Sequence, residues 1–174
     1  MSAPRTTRRV VLTGFMGAGK STIGALLAQR LGWEFVDVDS AIESRAGKTV
    51  AEIFSQEGEA AFRPLEMDAI RDHTSREFLV LALGGGAIEA ESTRRLLAGL
   101  KRTLVIFLEA PLEVLVARCL AQANAAERPV LADREGLLLR FNSRLGHYRN
   151  AHLTVATGGL SPEDVVDRIL IDLK

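Results

Sequence analysis

The sequence GFMGAGKST, residues 14–22, decides the fold of this chain. It follows the apolar run 10–12 and precedes the apolar run 23–28, so a short strand leads through a glycine-rich loop into a helix. A strand, the pattern GxxxxGK[ST] and a helix, in that order, are typical of a phosphate-binding P-loop. A glycine-rich turn with an exposed lysine is the alternative, but the complete motif with matching flanks favours the P-loop.

Each residue type in this loop has a chemical task. The glycines let backbone N–H groups approach phosphate oxygens, and the helix that follows points its positive end at the same phosphates. Lys20 adds a positive charge near the β- and γ-phosphates, and the Ser21 hydroxyl supplies a ligand for Mg²⁺. The loop therefore predicts binding of phosphates together with magnesium.

The composition indicates one globular domain over residues 1–174. A chain of 174 residues with 47% hydrophobic and 25% charged residues has the size and balance to bury one core. Lys and Arg together number 22, as do Asp and Glu, so the net charge of zero gives no reason to expect a nucleic-acid or membrane partner. The longest uncharged apolar run, residues 78–88, is too short to span a bilayer.

Cysteine usage favours a cytoplasmic location. Cys119 is the only cysteine, which excludes an intrachain disulfide and is typical of a reducing compartment. With zero net charge and no long amphipathic extension, a monomer is the expected state.

Strand and helix patterns alternate along the chain, which predicts a parallel sheet. The runs 78–83 and 104–108 are continuously apolar, as in strands covered on both faces. The expected strands are residues 10–12, 33–39, 78–83, 104–108 and 153–156, with helices after the P-loop up to Gly32, at 50–56, 59–73, 92–100, 111–120 and 134–151, and after Ser161. The fold class is thus α/β, a P-loop kinase fold with a central parallel five-stranded sheet flanked by helices.

Two segments depart from this alternation. Residues from about 40 to 77 exceed what one crossover helix needs, which predicts an insertion that binds an acceptor. Residues from about 120 to 133 are small and polar, as expected of a lid. A phosphotransferase uses such segments to hold its acceptor and exclude water.

Two acidic residues, Asp37 and Asp39, close the second predicted strand. Being two residues apart in a strand, they are expected on the same side, at the sheet edge where the P-loop opens. This arrangement suits one carboxylate to Mg²⁺ and the other to an acceptor hydroxyl. On spacing alone, a pair of acids that cap a helix is an equally good interpretation.

Three consecutive glycines, Gly84, Gly85 and Gly86, follow the third predicted strand. Without Cβ atoms, these residues let a ligand contact backbone N–H groups. A tight turn from strand to helix is the alternative, for which three glycines are more than necessary.

Three arginines are candidates for anion binding. Arg128 lies in the polar lid, from which a guanidinium can swing over phosphates. Arg63 lies in the insertion, where Glu66 can orient it and Pro64 can break the helix. Arg144 lies at the edge of the apolar stripe of the predicted helix 134–151. For Arg63 and Arg144, helical spacing alone leaves a solvated surface position open.

The chain closely resembles shikimate kinases, small P-loop kinases of the nucleoside-monophosphate-kinase structural class. The resemblance rests on an ordered set of motifs: GFMGAGKST at 14–22, DVD at 37–39, FRxxE at 62–66, GGGA at 84–87, RPVL at 128–131 and RxxxYxxA at 144–151. A glycine-rich loop alone is common to many NTPases, but the ordered set is specific. The resemblance implies phosphorylation of the 3-hydroxyl of shikimate with ATP and Mg²⁺, a step of aromatic amino acid biosynthesis.

The resemblance also implies roles for individual residues. ATP is expected to contact Gly17, Ala18, Gly19, Lys20, Ser21, Thr22, Arg118 and Arg128. The expected shikimate contacts are Asp39, Arg63, Gly84, Gly85, Gly86 and Arg144, with the two arginines on the carboxylate. Ser21 and Asp37 are expected to hold Mg²⁺, and the expected catalytic residues are Asp39, Lys20 and Arg128, with Asp39 assisting deprotonation of the hydroxyl.

Two other function classes remain open on the sequence. A small-molecule kinase with another acceptor, such as gluconate or a nucleoside monophosphate, is the nearest, because two arginines suit any small anion. A nucleotide switch or binding module without turnover is the second. A GTPase needs N-K-x-D, which the sequence lacks, and its DxxG match at residues 133–136 falls in the lid. An inactive relative is expected to lose Asp39 or Arg128, and both are present.

Overall fold

The computed structural model describes residues 6–121 and 133–173. Its centre is a sheet of five parallel strands in the order β2-β3-β1-β4-β5. The strands are β1 (Arg9–Thr13), β2 (Glu34–Asp37), β3 (Leu79–Ala82), β4 (Thr103–Glu109) and β5 (Leu153–Ala156). Each strand overlaps its predicted segment, and the predicted five-stranded parallel sheet is confirmed.

Helices and one short turn connect the strands. The helices are α1 (Lys20–Leu31), α2 (Val38–Ala46), α3 (Val50–Gln56), α4 (Glu59–Thr74), α5 (Glu91–Gly99), α6 (Leu112–Leu120), α7 (Arg134–Tyr148) and α8 (Pro162–Asp172), and a 3₁₀ turn spans Ala87–Glu89. Among the described residues, no helix combines the length and apolar character that crossing a membrane requires.

The central strand β1 explains why the apolar runs form strands. Its residues Val10, Val11 and Leu12 have no exposed surface. Val10 lies opposite Val80 of β3 on one side and Leu104 of β4 on the other. Strands covered on both faces need apolar side chains at every position, and this is the pattern that the sequence carries.

Helices cover both faces of the sheet. The connections from β1 to β2 and from β3 to β4 run in opposite directions along the sheet, so right-handed crossovers place α1 and α5 on opposite faces. Helix α1 packs on α8 and on β2 and β3, whereas α4 packs on β3 and α5. The parallel order also brings the carboxyl ends of all five strands to one edge.

Strand β2 is shorter than the sequence pattern predicts. A strand over 33–39 was expected, but β2 ends at Asp37 and α2 begins at Val38. The Asp37 side chain accepts hydrogen bonds from the backbone N–H groups of Asp39 (3.1 Å) and Ser40 (3.3 Å). These bonds cap the start of α2. The alternation of apolar and acidic residues continues past this boundary, so the sequence pattern alone does not show where the strand ends and the helix begins.

The insertion between β2 and β3 consists of helices α2, α3 and α4. Helices α3 and α4 match the predicted ones, with α4 extending one residue further, whereas α2 was not predicted. Pro64 lies inside α4 without breaking it. Phe62 and Ile70, on either side of Pro64, are buried in the core, so packing holds the helix together across the hydrogen bond that proline cannot make.

The remaining helix boundaries differ by a few residues. Pro111 precedes α6 as its cap instead of opening its first turn, and α7 ends at Tyr148, three residues before the predicted end. The predicted end of α1 at Gly32 and the cap of α8 at Ser161 are confirmed. Most of the predicted lid, residues 122–132, lies outside the described residues.

Substitution of Gly24 tests how closely α1 packs on the sheet. A Cβ atom at Gly24 would overlap the Phe35 ring and lie 3.3 Å from Cδ1 of Leu12. We expect Gly24→Ala to lower the free energy of unfolding by about 1–3 kcal/mol, although alanine favours a helix over glycine by about 1 kcal/mol. Urea unfolding followed by circular dichroism measures the change.

Gly146→Ala is the matched control for this experiment. Gly146 lies inside α7, and a Cβ atom there would have nothing within 4 Å. This substitution should leave the free energy of unfolding unchanged or raise it by up to about 1 kcal/mol. Equal destabilisation by the two substitutions would contradict the packing argument.

Candidate active site

Three loops that carry the candidate residues meet at the carboxyl edge of the sheet. The P-loop follows β1, Asp37 ends β2, and Gly84 to Gly86 follow β3 shortly after its last residue. Asp37 and Leu12 are both register partners of Ala82, so the ends of these three strands lie side by side. This edge is where ligands bind in open α/β sheets.

The P-loop is closely packed against α6. Gly17 has a φ of +76°, and a Cβ atom there would overlap the Leu115 carbonyl oxygen and lie 2.9 Å from Sγ of Cys119. Both the left-handed backbone and the contact with α6 therefore require glycine at this position. Gly19, with a φ of +88°, caps the start of α1, which directs the positive end of that helix into the loop.

Lys20 lies partly buried within the loop. Its Nζ donates hydrogen bonds to the carbonyl oxygens of Gly14 (2.9 Å) and Phe15 (3.1 Å). Burial lowers the pKa of Lys20 from its ordinary value, and the nearby carboxylates of Asp39 and Asp37 oppose that shift. The ammonium group is thus held at the loop, where an additional anion would stabilise its charge.

Ser21 and Asp37 place two oxygen atoms side by side. The Ser21 hydroxyl donates to Oδ2 of Asp37 at 2.6 Å, while Oδ1 of Asp37 caps α2. Of the two interpretations that the sequence left open for Asp37, capping is therefore observed, and its second oxygen is still directed at the P-loop.

The chemistry of this pair fits a magnesium ion that binds together with phosphates. Mg²⁺ prefers oxygen ligands, takes few of them from the protein and keeps waters and phosphate oxygens for the rest. Within the described ranges, no cluster of three or more His, Cys, Asp or Glu residues is suited to hold a metal ion by itself. A serine hydroxyl and one carboxylate are what such a shared ion requires of the protein.

Asp39 lies in the first turn of α2 and not in a strand, which corrects its expected placement. Burial raises the pKa of Asp39 to about 6, and the negative charge of Asp37 contributes in the same direction, against the attraction of Lys20. A Cβ atom at Gly84 would lie 2.8 Å from Oδ1 of Asp39. The Asp39 carboxyl group therefore faces the first of the three glycines.

The three glycines form a strip with acids at one end and guanidinium groups at the other. A Cβ atom added at Gly84 would also lie 2.8 Å from Oε1 of Glu66. At Gly86 the corresponding atom would lie 2.5 Å from Nη2 of Arg63, and at Gly85 it would lie 3.9 Å from Nη1 of Arg144. The structure thus brings Asp39, both arginines and the glycines together, an arrangement that for the arginines only the family resemblance implied.

Glu66 orients Arg63, as predicted. Oε2 of Glu66 accepts a hydrogen bond from Nη1 of Arg63 at 2.6 Å, and the Glu66 side chain is only 2% exposed. Burial raises the pKa of Glu66 and the adjacent Arg63 opposes the shift. Glu59, one turn earlier in α4, binds the outer side of the same guanidinium. Arg63 is therefore not a solvated surface residue.

Helix α7 supplies Arg144 and a fixed point for the glycine strip. The Arg144 guanidinium lies over the Phe15 ring, with 5.6 Å between Cζ and the ring centroid, and its side chain is 13% exposed. One turn later, the buried Tyr148 donates a hydrogen bond from its hydroxyl to the Gly85 carbonyl oxygen at 2.5 Å. Tyr148 also stacks on Phe107 of β4, so the strip is tied to the core.

Among the other predicted residues that the structure describes, Arg118 contacts a different part of the fold. Arg118, near the end of α6, donates hydrogen bonds to the hydroxyl (3.0 Å) and carbonyl oxygen (2.6 Å) of Thr157, just beyond β5. Ala18 and Thr22 lie in the P-loop and the first turn of α1. Arg128 lies outside the described residues, so its predicted place over the phosphates stays a prediction.

A further acidic residue, Glu89, lies at the site and was not predicted. Oε2 of Glu89 lies 2.8 Å from Nη2 of Arg144 and 3.7 Å from Nη2 of Arg63. Glu89 stands in the 3₁₀ turn just before α5, where acids are common because they suit the positive end of a helix. Its sequence position therefore carried no signal that distinguished it from such a residue.

Comparison with known proteins identifies close relatives. The family model described as "Shikimate kinase" matches residues 16–174. Shikimate kinase from Geobacter sulfurreducens is 45% identical over 172 residues, which cover 97% of this chain and 92% of the relative. Shikimate kinase from Streptomyces coelicolor is also 45% identical, over an alignment of 179 residues including gaps, which covers 100% of this chain and 99% of the relative.

Solved structures give the same result. Shikimate kinase from Acinetobacter baumannii, in complex with shikimate, has a TM-score of 0.83 and 37% identity, covering 95% of this chain and 92% of that one. The Bacteroides thetaiotaomicron shikimate kinase has a TM-score of 0.85 and 30% identity, covering 95% and 98%. A gluconokinase from Sinorhizobium meliloti, covering 97% and 93%, has a TM-score of 0.57 and 20% identity, a likeness in fold alone.

The raised pKa of Asp39 predicts a pH-dependent cost in stability. The folded protein binds a proton at Asp39 more tightly than the unfolded chain does, so the resulting stabilisation is lost as the pH rises through about 6. We expect Asp39→Asn to raise the free energy of unfolding by about 1–3 kcal/mol near pH 7.5 and to change it little near pH 4. Urea unfolding at the two pH values measures both differences.

Asp68→Asn serves as the control, because Asp68 is an exposed carboxylate of α4 that pairs with Arg71. Its effect should stay within about 0.5 kcal/mol at both pH values. An Asp39→Asn variant that is less stable than the wild type near pH 7.5 would show that the ionised carboxylate is well accommodated, contrary to this argument.

Proposed function

This chain belongs to the shikimate kinase family, and on that basis we propose that it transfers the γ-phosphoryl group of ATP to the 3-hydroxyl of shikimate. The products are shikimate 3-phosphate and ADP, and the reaction is a step of aromatic amino acid biosynthesis. One observation supports this acceptor above all: Arg63 and Arg144 converge on the glycine strip whose other end faces Asp39. An acceptor with a carboxylate at one end and a reactive hydroxyl at the other matches that polarity.

The P-loop is proposed to hold the triphosphate. Backbone N–H groups of Gly17, Gly19, Ser21 and Thr22, in the loop and the first turn of α1, are proposed to donate to phosphate oxygens. The Ala18 N–H group donates to the Phe15 carbonyl oxygen at 3.2 Å and would exchange that bond for a phosphate oxygen. Lys20 exchanges its bonds to loop carbonyl groups for phosphate oxygens. Ser21 and Asp37 would hold Mg²⁺, which when bound neutralises charge on the β- and γ-phosphates.

Asp39 is proposed to act as the general base. A carboxylate with a pKa of about 6 is ionised near neutral pH and still basic enough to accept the proton of the attacking hydroxyl. The oxygen of that hydroxyl forms a bond to the γ-phosphorus while the bond from this phosphorus to the β-phosphate bridging oxygen breaks. The transfer is direct, without a covalent enzyme intermediate, so positioning and charge stabilisation are the main tasks of the protein.

The insertion and the lid are proposed to bind the acceptor and the nucleotide. Residues from about 40 to 77 act as the acceptor-binding insertion, since α4 carries Arg63 and Glu66 to the glycine strip. Arg118 is proposed to stack on the adenine base, and Arg128, in the lid from about 120 to 133, to bind and stabilise the transferred phosphoryl group.

We also propose a cytoplasmic monomer that forms a single domain over residues 1–174 and acts on small molecules without a nucleic-acid or membrane partner. The net charge of zero and the single cysteine support this state.

An acceptor panel tests the proposed function directly. Purified protein with Mg²⁺ and ATP is assayed for ADP release with shikimate, gluconate and AMP as separate acceptors. We expect turnover with shikimate alone, because relatives 45% identical over nearly the whole chain are shikimate kinases, whereas the gluconokinase is alike in fold alone. Turnover with gluconate or AMP only would support a kinase but refute shikimate as its acceptor. ATP binding without turnover on any of the three would refute the proposed reaction and favour a binding module without turnover.

Asp39→Asn tests the proposed base. We expect kcat with shikimate to fall by about 10²- to 10⁴-fold, because the amide cannot accept the proton. The wild-type kcat/KM should rise with pH as Asp39 loses its proton near pH 6, and the variant should lack this rise. Near wild-type kcat in Asp39→Asn, with Asp68→Asn as the surface control, would rule out Asp39 as the base.

A further inference from the structure

Glu89, at the edge of the site, has a hydrogen-bonded backbone and a partly exposed side chain. Its backbone N–H donates to the Gly86 carbonyl oxygen at 3.0 Å, and its own carbonyl oxygen accepts a hydrogen bond from Nη1 of Arg94 at 2.5 Å. The side chain, by contrast, is 35% exposed. The backbone contacts hold the residue next to the glycine strip, while the carboxylate can turn into water.

The Glu89 carboxylate contacts both arginines that face the strip. Its Oε2 accepts a hydrogen bond from Nη2 of Arg144 at 2.8 Å and lies 3.7 Å from Nη2 of Arg63. At Arg63 the same atom, Nη2, faces both Gly86 and Glu89, whereas at Arg144 Nη1 faces Gly85 and Nη2 binds Glu89. A substrate carboxylate that bridges the two guanidinium groups from the glycine strip would therefore meet the groups that Glu89 already contacts. Glu89 and the substrate carboxylate therefore compete for the same two guanidinium groups.

The local charge balance indicates which carboxylate the substrate would displace. Two guanidinium groups, of Arg63 and Arg144, face three carboxyl groups, of Glu59, Glu66 and Glu89. A substrate carboxylate would add a further negative charge to a cluster that already has more acids than bases. Glu66 is 2% exposed and bound to Arg63, so it cannot leave, whereas Glu89 can reach solvent.

We propose that Glu89 is an internal competitor that occupies the two arginines in the free protein and is displaced by the carboxylate of the substrate. This inference rests on the function proposed above, in which these arginines bind the shikimate carboxylate. Glu89 is then a residue that sets specificity. An anion that contacts only the arginines gains little over Glu89, whereas shikimate adds contacts along the glycine strip and displaces it.

A role for Glu89 in orienting Arg144 would predict a change in the KM for shikimate of the opposite sign. If Glu89 stayed in place and oriented Arg144 for the substrate, its removal would weaken shikimate binding. If it competes, its removal strengthens binding. The sign of the change in KM therefore decides between a competitor and an orienting residue.

The test uses Glu89→Gln and Glu89→Ala, with Glu91→Gln as the matched control. Glu91 is two residues away and pairs with Arg95 on the exposed face of α5. We expect both Glu89 variants to lower the KM for shikimate by about 2- to 5-fold, the value of one partly exposed ion pair, and to keep kcat within about twofold. Calorimetric titration of shikimate without nucleotide should show the same decrease in Kd.

Acetate provides a second measurement. It carries a carboxylate but cannot reach along the glycine strip, so it should inhibit the wild type weakly and in competition with shikimate. In the Glu89 variants, its inhibition constant should fall by a similar factor of about 2- to 5-fold. A KM that is unchanged or raised in both variants, with unchanged acetate inhibition, would overturn the proposal.

The outcomes separate this inference from the proposed function. A wild-type protein that shows no turnover with shikimate refutes the proposed function, and the role of Glu89 in shikimate binding is refuted with it. Turnover by the wild type together with an unchanged or raised KM in the Glu89 variants refutes the competitor role alone. Because Glu91→Gln removes a neighbouring carboxylate, a similar fall in KM there would assign the effect to general charge and also refute the specific role.

Discussion

One carboxylate, that of Asp37, joins the two sides of the site. Through one oxygen it caps α2, and through the other it accepts the hydroxyl hydrogen of Ser21 in α1. The chain therefore leaves the sheet as a helix immediately after β2, and Asp39 is carried in the first turn of that helix to the glycine strip. Without this cap, the backbone N–H groups of α2 would lack their partner, and the position of Asp39 would lose its anchor.

Much of the fold could be predicted because the three inner strands of the sheet, β1, β3 and β4, are buried on both faces. Such strands need continuous apolar runs, and 78–83 and 104–108 have no polar residue. The segment 36–39 shows the limit of this reasoning, since Val36, Asp37, Val38 and Asp39 alternate as in a strand but cross into α2. A cap made by a side chain depends on the loop geometry, which local periodicity does not contain.

The site was predictable in its residue types but not in its pairings. Glycines, a P-loop lysine and acids at strand ends have local signatures, so Lys20, Asp39 and Gly84 could be identified from the sequence. The positions of Arg63 and Arg144 depend on how α4 and α7 pack, which spans long sequence separations. Glu89 was missed for the same reason, because its partner Arg144 lies 55 residues away.

Helix α7 carries a constraint on insertions and deletions. Arg144 faces the glycine strip, and Tyr148, four residues later, is bonded to Gly85 within that strip. One residue added or removed between them would rotate one side chain by about 100° relative to the other around the helix axis. Gly146, which has open space beside it, can therefore be substituted, but the number of residues between Arg144 and Tyr148 cannot change.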